Sequence, residues 1–232
     1  MNDDKEATFS ERNCSTEFQS PQQMDWLRIQ DSLKRQLITE DDFKWRLPPK
    51  INEREKEGSN CEILLKYVGG VDLSFSKEDS SIACGALVVL DFQTLKVVYE
   101  DSSIVRLHIP YLPGFLAFRE APVLLELLDK MKKNAHPFYP QLLMVDGNGL
   151  LHPRGFGLAC HIGVLADLPT VGVGKNAIQS SQGSLKPIFI SVGHRVSLAT
   201  AIETVKMTCR FRVPEPIRQA DIRSRERLRN HQ

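Results

Sequence analysis

The chain predicts an α/β fold, a mixed sheet of three antiparallel strands followed by parallel strands, flanked by helices. Two observations carry that expectation. Between Lys66 and Arg106 three apolar runs are separated only by short polar breaks, SKEDSS and FQT, which suit hairpins better than helical crossovers. After Phe115 the pattern changes, and helical and strand-like segments alternate to the end, as in sheets covered by helices on their faces.

Residues 1–20 are polar, without sustained periodicity, and are expected to lack regular structure. Between Met24 and Leu37, Trp26, Ile29, Leu33 and Leu37 recur at helical spacing and predict an amphipathic helix packed on the core. Pro48, Pro49 and INEREKEGSN read as a linker. The division is therefore a polar N-terminal segment, 1–60, holding that helix and linker, and a main domain, 61–232, with a basic C-terminal end. The first three strands are Lys66–Ser74, Ile82–Asp91 and Lys96–Arg106. PYLPG stops the strand pattern, and a helix follows over Phe115–Lys132. QLLMVD is a buried strand that empties into the turn GNG, and HPRGFGLACHIGVLADLP is a helix closed by Pro169. TVGVGK and PIFISVG are further strands, and Ser197–Cys209 is the last helix expected. The end of the chain, with seven arginines from Arg210 against Glu215, Asp221 and Glu226, reads either as a solvated tail or as a phosphate-contacting one.

At 232 residues, 41% hydrophobic and 25% charged, the composition is globular, and the net charge of +1 does not by itself announce a nucleic-acid binder. No apolar run reaches the roughly 18–20 residues of a membrane helix, and the first residues lack a leader's apolar stretch, so a soluble intracellular protein without a membrane partner is expected. Five scattered cysteines, none in a CxxC pair, are expected to be reduced thiols.

Acidic residues where the pattern calls for apolar ones mark the chemistry. Asp72 interrupts VGGVDLSF, and Asp146 closes QLLMVD at the carboxyl end of a strand, where open α/β sheets place their ligands. Buried carboxylates placed together repel unless a cation pairs them, and oxygen donors favour Mg²⁺ or Mn²⁺. Glu120, Lys175 at the end of TVGVGK and His194, read as opening a helix after SVGHR, complete a constellation suited to phosphoryl transfer. Taken singly each has a plain alternative: a salt bridge for Asp72, a helix cap for Asp146, a solvated helical position for Glu120, a snorkelling stem for Lys175 and a cap-region residue for His194.

The segments YVGGVDLSF, PYLPGFLAFRE, VDGNGLLHPRGFGLACHIGVLADLPTVGVGK, SVGHR and PEPIRQAD, in that order, resemble the endonuclease V family from about Tyr67 to Asp221. The resemblance implies a ribonuclease H-like fold and hydrolysis of the second phosphodiester bond 3′ to inosine in single-stranded RNA, to deoxyinosine in DNA, or both. It implies Asp72, Glu120 and Asp146 as carboxylates holding Mg²⁺ or Mn²⁺, with Lys175 beside the scissile phosphate and His194 near metal and water. Tyr111 matches the wedge that fills the gap left by a displaced base, here in PYLP rather than the commoner PYIP. Leu116, Gly147, His152 and Gly157 match the pocket for the flipped hypoxanthine. A monomer in the cytoplasm, nucleus or nucleolus is the corresponding expectation. The cysteines and arginine-rich end suggest an animal-like member. One departure stands out: only NAIQSSQGSLK joins Lys175 to Pro187, where the family carries a longer stretch. The strand after Pro187 is then expected to have an unpaired edge or a different register, and the protein to be less stable and less active. The alternative function is an inosine-containing nucleic-acid binding protein that does not cut.

Overall fold

The computed structural model describes residues 20–49, 63–175 and 187–231, so the expectations for residues 1–19, for the linker sequence 51–60 and for the connection 176–186 lie outside the described residues. Ser20 opens helix α1 (Pro21–Lys34) with a capping box, its side chain accepting from the Gln23 amide while Gln23 returns a bond to the Ser20 amide. The helix was expected over Met24–Leu37, but it ends before Leu37, and its buried residues are Trp26, Gln30 and Leu33, whereas Ile29 is exposed. Short strands β1 (Trp45–Arg46) and β2 (Ile63–Leu64) then pair in parallel.

The main sheet starts with β3 (Tyr67–Phe75), β4 (Ile82–Asp91) and β5 (Val97–Arg106), all antiparallel, within a residue of the expected bounds. Helix α2 (Leu116–Lys133) leads to β6 (Leu142–Asp146), helix α3 (Leu158–Ala166) to β7 (Thr170–Gly174), and then come β8 (Phe189–His194) and helix α4 (Leu198–Thr208). A fifth helix, α5 (Glu215–Arg229), occupies the arginine-rich end that patterning left open between tail and contact. The strand order is β5-β4-β3-β6-β7-β8, with β3, β6 and β7 mutually parallel and β8 antiparallel on β7. This is the mixed sheet expected. β8 lies outermost, so among the described residues one of its edges has no strand beside it.

Side chains alternate across a strand, and that alternation divides the core into two layers. Val68, Leu142, Met144, Val171 and Val173 face α4 and α5, packing with Val205 and Ile217. Val71, Leu143 and Val145 face α2 and α3, packing with Leu124, Leu128 and Ile162. Counting by twos from the first set, Val68 leads to Gly70 and Asp72, Met144 to Asp146, and Val173 to Lys175. One parity rule thus sends all three polar residues to the α5 side, at the same end of the three parallel strands.

Candidate active site

The parallel pairing of β3 with β6 aligns Val71 with Val145, which sets the next residues of the two strands, Asp72 and Asp146, side by side. Asp146 pairs in register with Val173, two residues before Lys175, so the third strand brings its lysine to the same place. The Lys175 ammonium lies 2.6 Å from Asp146 Oδ2, 3.7 Å from Asp221 Oδ1 and 4.0 Å from Asp72 Oδ1. Asp221 comes from α5. That helix lies close because Gly70 has no side chain: a Cβ there would stand 2.2 Å from the Pro216 carbonyl carbon and oxygen. Its Ser224 hydroxyl donates to Asp72 Oδ2 at 2.9 Å, and the Ser74 hydroxyl donates to the same oxygen at 3.1 Å.

Glu120 enters from the second turn of α2 and is buried. Burial raises its carboxyl to about 8, and the neighbouring Asp72 and Asp146 charges push the same way, while Arg119 opposes them. Burial also lifts Asp72 to about 6, reinforced by Asp146 and offset in part by Lys175 and Ser224. Burial alone would lower the Lys175 ammonium, but Asp146, Asp72 and Asp221 together raise it. The cluster therefore holds more carboxylates than its one ammonium can neutralise. Among the described residues no three acidic, histidine or cysteine side chains stand as a ready-made metal cage. The carboxylates already turned toward the Lys175 ammonium nevertheless fit a divalent cation, since an all-oxygen donor set suits Mg²⁺ or Mn²⁺. Arg119 stands at the rim, donating to the Ser80 carbonyl at 2.8 Å.

His194 is a correction. It ends β8 rather than opening a helix, and it pairs with Thr170 at the start of β7, the opposite end of that strand from Lys175. It is buried, its Nδ1 accepts the Ile38 amide at 3.3 Å, and Gly163 of α3 packs on it. The antiparallel direction of β8 is the reason: a C-terminal strand position on β8 lies at the N-terminal end of its parallel neighbour. The polar partner that sequence reading missed is Asp221. Its signal was present in PEPIRQAD and in the spacing of Asp221 and Ser224, which puts both on one helix face.

The expected base pocket lies directly beyond Asp146. Gly147 takes φ +149°, a conformation that favours glycine, and Leu158 of α3 packs against it. The Gly157 amide, at the N-cap of α3, donates to the Gly149 carbonyl at 3.0 Å, so the turn folds Gly157 back over the end of β6. His152 is half-buried in the same loop, and its Nδ1 accepts the Arg154 amide at 3.2 Å. Leu116, half-buried, begins α2, and Tyr111 is 61% exposed on the preceding loop. Gln30 of α1 ties these two loops together by donating to the carbonyls of Phe156 at 3.0 Å and Gly114 at 3.4 Å. A cavity of about 690 Å³ at the other end of β3, lined by Lys66, Tyr67, Tyr139 and Gln141, lies away from the acids.

Cys84, Cys160 and Cys209 are free thiols, with Cys84 and Cys160 pushed up to about 11 and about 12 by burial, as inert core residues are. Among the described residues no helix is long and apolar enough to cross a membrane.

The sequence profile of the family described as Endonuclease V matches residues 47–182 and again 176–222. Human Endonuclease V is 43% identical over 243 residues, covering 88% of this chain and 82% of that protein, and the mouse protein is 42% identical, covering 88% and 69%. Those alignments are longer than the 232-residue chain itself, so the relatives carry residues that this chain lacks, and the profile breaks and restarts at 176–182. The crystal structure of the catalytic domain of human Endonuclease V superposes with a TM-score of 0.79 at 40% identity, covering 92% of this chain and 98% of that one. A crystal structure of Ciona intestinalis Endonuclease V gives 0.77 at 30% identity, covering 92% and 100%. With a ribonuclease H-like sheet, acids gathered at the ends of its parallel strands and these relatives over nearly its whole length, the chain belongs to the endonuclease V family and is a nuclease.

Proposed function

We propose that this chain hydrolyses the second phosphodiester bond 3′ to inosine, in single-stranded RNA, in deoxyinosine-containing DNA, or in both. The observation that carries the reading is the gathering of Asp72, Asp146 and Asp221 on one ammonium beside a buried Glu120, directly next to the Gly147 turn. Two structures of the Ciona protein support the substrate, since each is a complex with DNA containing an inosine followed by a ribo-adenosine.

Asp72, Glu120, Asp146 and Asp221 are the residues that would hold Mg²⁺ or Mn²⁺. Such an ion supplies a Lewis acid for the phosphate and lowers the pKa of water. The chain's own contribution is placement. Ser74 and Ser224 fix the orientation of the Asp72 carboxylate. Lys175, at the same place as the acids, would offer its ammonium to the phosphate. Gly147 and Gly157 leave backbone groups near a base edge, where a donor and an acceptor distinguish hypoxanthine, with its C6 carbonyl and N1–H, from adenine. Tyr111, exposed at the loop tip, stacks in the gap the base leaves.

The test is cleavage of matched RNA and DNA oligonucleotides carrying inosine or adenosine at one position, with Mg²⁺ or Mn²⁺. Cutting at the second bond beyond inosine alone is expected. Binding of the inosine strand without any cleavage would move the reading to an inosine-binding protein, the alternative that the shortened connection raises.

A further inference from the structure

On the side of the acids opposite the Gly147 turn, the structure holds a groove of about 500 Å³ between the end of β3 and helix α5. Asp221 belongs to its wall, so the groove and the acid cluster are continuous. The rest of the lining combines the aromatic Phe75 with three cations, Lys77, Arg225 and Arg229. Phe75 is 36% exposed, with the Arg119 guanidinium 4.8 Å from its ring centroid. The two arginines are exposed and paired along their own helix: Arg225 bonds Asp221 at 2.8 Å and Arg229 approaches Glu226 at 3.9 Å, with 66% and 72% of the two arginine side chains exposed. Pairs of that kind contribute little and exchange readily for another anion.

An aromatic ring among exposed cations, with an opening the size of a small-molecule site, is the composition that holds single-stranded nucleic acid: bases stack on the ring in any sequence, and phosphates meet the charges. An acidic peptide would satisfy the cations but leave the ring without a stacking partner and bring further carboxylates up to the acid cluster. A polynucleotide instead continues through the place where its own phosphate is cut.

The direction of the strand follows from the order of the parts. Resting on the function proposed above, the inosine lies in the pocket beyond Asp146, and the scissile bond lies on its 3′ side, over the acids. The strand that has crossed the acids then enters the groove. We infer that the groove formed by Phe75, Lys77, Arg225 and Arg229 binds the single-stranded segment 3′ to the cleavage site. This gives the arginine-rich helix α5 two roles, with Asp221 facing the acids and the residues one and two turns later facing the departing strand.

The experiment uses the full chain, first without divalent cation. Anisotropy measures binding of a labelled oligonucleotide of about six nucleotides lacking inosine, within the ~4–16 nucleotide range of single-strand sites, as DNA and as RNA. The double variant Lys77→Gln/Arg229→Gln, both surface positions away from the acid cluster, is expected to bind about 10-fold more weakly at low salt. Its log–log salt slope should be shallower by about 1.4, two phosphate contacts at about 0.7 each. Phe75→Leu should weaken binding with the slope unchanged. Equal binding by wild type and double variant, or an acidic peptide of equal charge competing as well as the oligonucleotide, would overturn the assignment. A second arm measures cleavage of inosine strands that end just beyond the cut or extend past it. Wild type should show a lower KM for the extended strand, and the double variant should lose that advantage while cutting the short strand normally. If both strands lose equally, the groove is not a 3′ track. If wild type cuts neither strand while the binding arm behaves as expected, the nuclease reading of the site fails and the groove stands.

Discussion

Glu120 and Asp72 are kept short of full ionisation by their surroundings, and that has a measurable sign. Their carboxyls stand at about 8 and about 6, above the ordinary 4.5 and 3.8, so the folded state holds protons that the unfolded chain has already released. Stability without divalent cation is therefore greatest below about pH 4 to 5 as far as these groups decide it, and it is lost as pH rises through about 6 and then about 8. In chelator the melting temperature is expected to fall between these limits, and Glu120→Gln should flatten the upper part of the decline. A profile of the same slope in that variant would show that Glu120 does not carry the charge strain. Adding Mg²⁺ should raise the melting temperature more at alkaline than at acid pH. Asp221 and His194 supply the matching kinetic contrast. Asp221→Asn should reduce cleavage at least 100-fold, on the scale of lost electrostatic contacts at reacting centres. His194→Gln should cost about 1 kcal/mol of stability through the Ile38 amide and leave turnover within a few-fold. Strong loss of turnover in His194→Gln with a normal melt would return that residue to the chemistry. The two residues also show what was legible. Asp72, Asp146 and Lys175 were readable because Asp72 interrupts an apolar strand run and the other two close apolar runs. His194 looked equivalent in SVGHR, but its strand runs the other way, and strand direction is a property of the whole sheet.

Among the helices, α5 is the one that patterning failed to resolve, and its composition explains why. Its buried residues include Ile217, Ala220 and Leu228 at helical spacing, but the fourth member of that stripe is Ser224, a polar residue buried because it donates to Asp72. A narrow stripe with a serine in it, set among arginines, reads from sequence as solvated. The strands of the main sheet and α2, with wide apolar faces, were legible to within about two residues, whereas the two-residue strands β1 and β2 were not expected. What holds α5 in place is a contact across the sheet that local sequence does not reveal: Gly70 lets the Pro216 backbone sit where a Cβ would be. Gly70→Ala is accordingly expected to destabilise by about 1–3 kcal/mol, the usual cost of overpacking, and to depress cleavage by moving Asp221 and Ser224 away from the acids. Calorimetry and the inosine assay check both. A variant that melts like wild type would mean that α5 reaches its position without the close approach at Gly70. Helix α1 works differently, through Gln30, which joins the loop of Tyr111 to the loop of His152 rather than touching the acids.

At the scale of the whole molecule, the shortened connection after Lys175 meets a geometry that lessens its effect on the site. Gly174 at the end of β7 pairs with Phe189 at the start of β8, so the two strand ends that residues 176–186 must join are neighbours across one ladder, about 4.8 Å apart. Closing such a gap needs only a short link, and each doubling of a flexible loop changes its closure cost by only about 0.6 kcal/mol. Asp72, Glu120, Asp146 and Lys175 all precede that link, with Lys175 Nζ 2.6 Å from Asp146, and of the acids only Asp221, on α5, comes from beyond it. The longer stretch of the relatives would instead bear on β8, whose outer edge has no strand beside it among the described residues. Grafting a longer, family-like stretch after Ile178 is therefore expected to raise the melting temperature by several degrees, the response of a domain of this size to one or two kcal/mol. The grafted form should also cut inosine strands faster than the natural chain, by stiffening β8 and the Ser191 hydroxyl, which accepts the Gly149 amide of the glycine turn at 3.1 Å. Melting and cleavage measured side by side separate the outcomes. A higher melt with unchanged cleavage confines the missing stretch to edge protection. Equal melting and equal cleavage make it dispensable and remove the reason for supposing this form inactive. Cleavage by the grafted form alone would make the natural chain the inosine-binding protein instead.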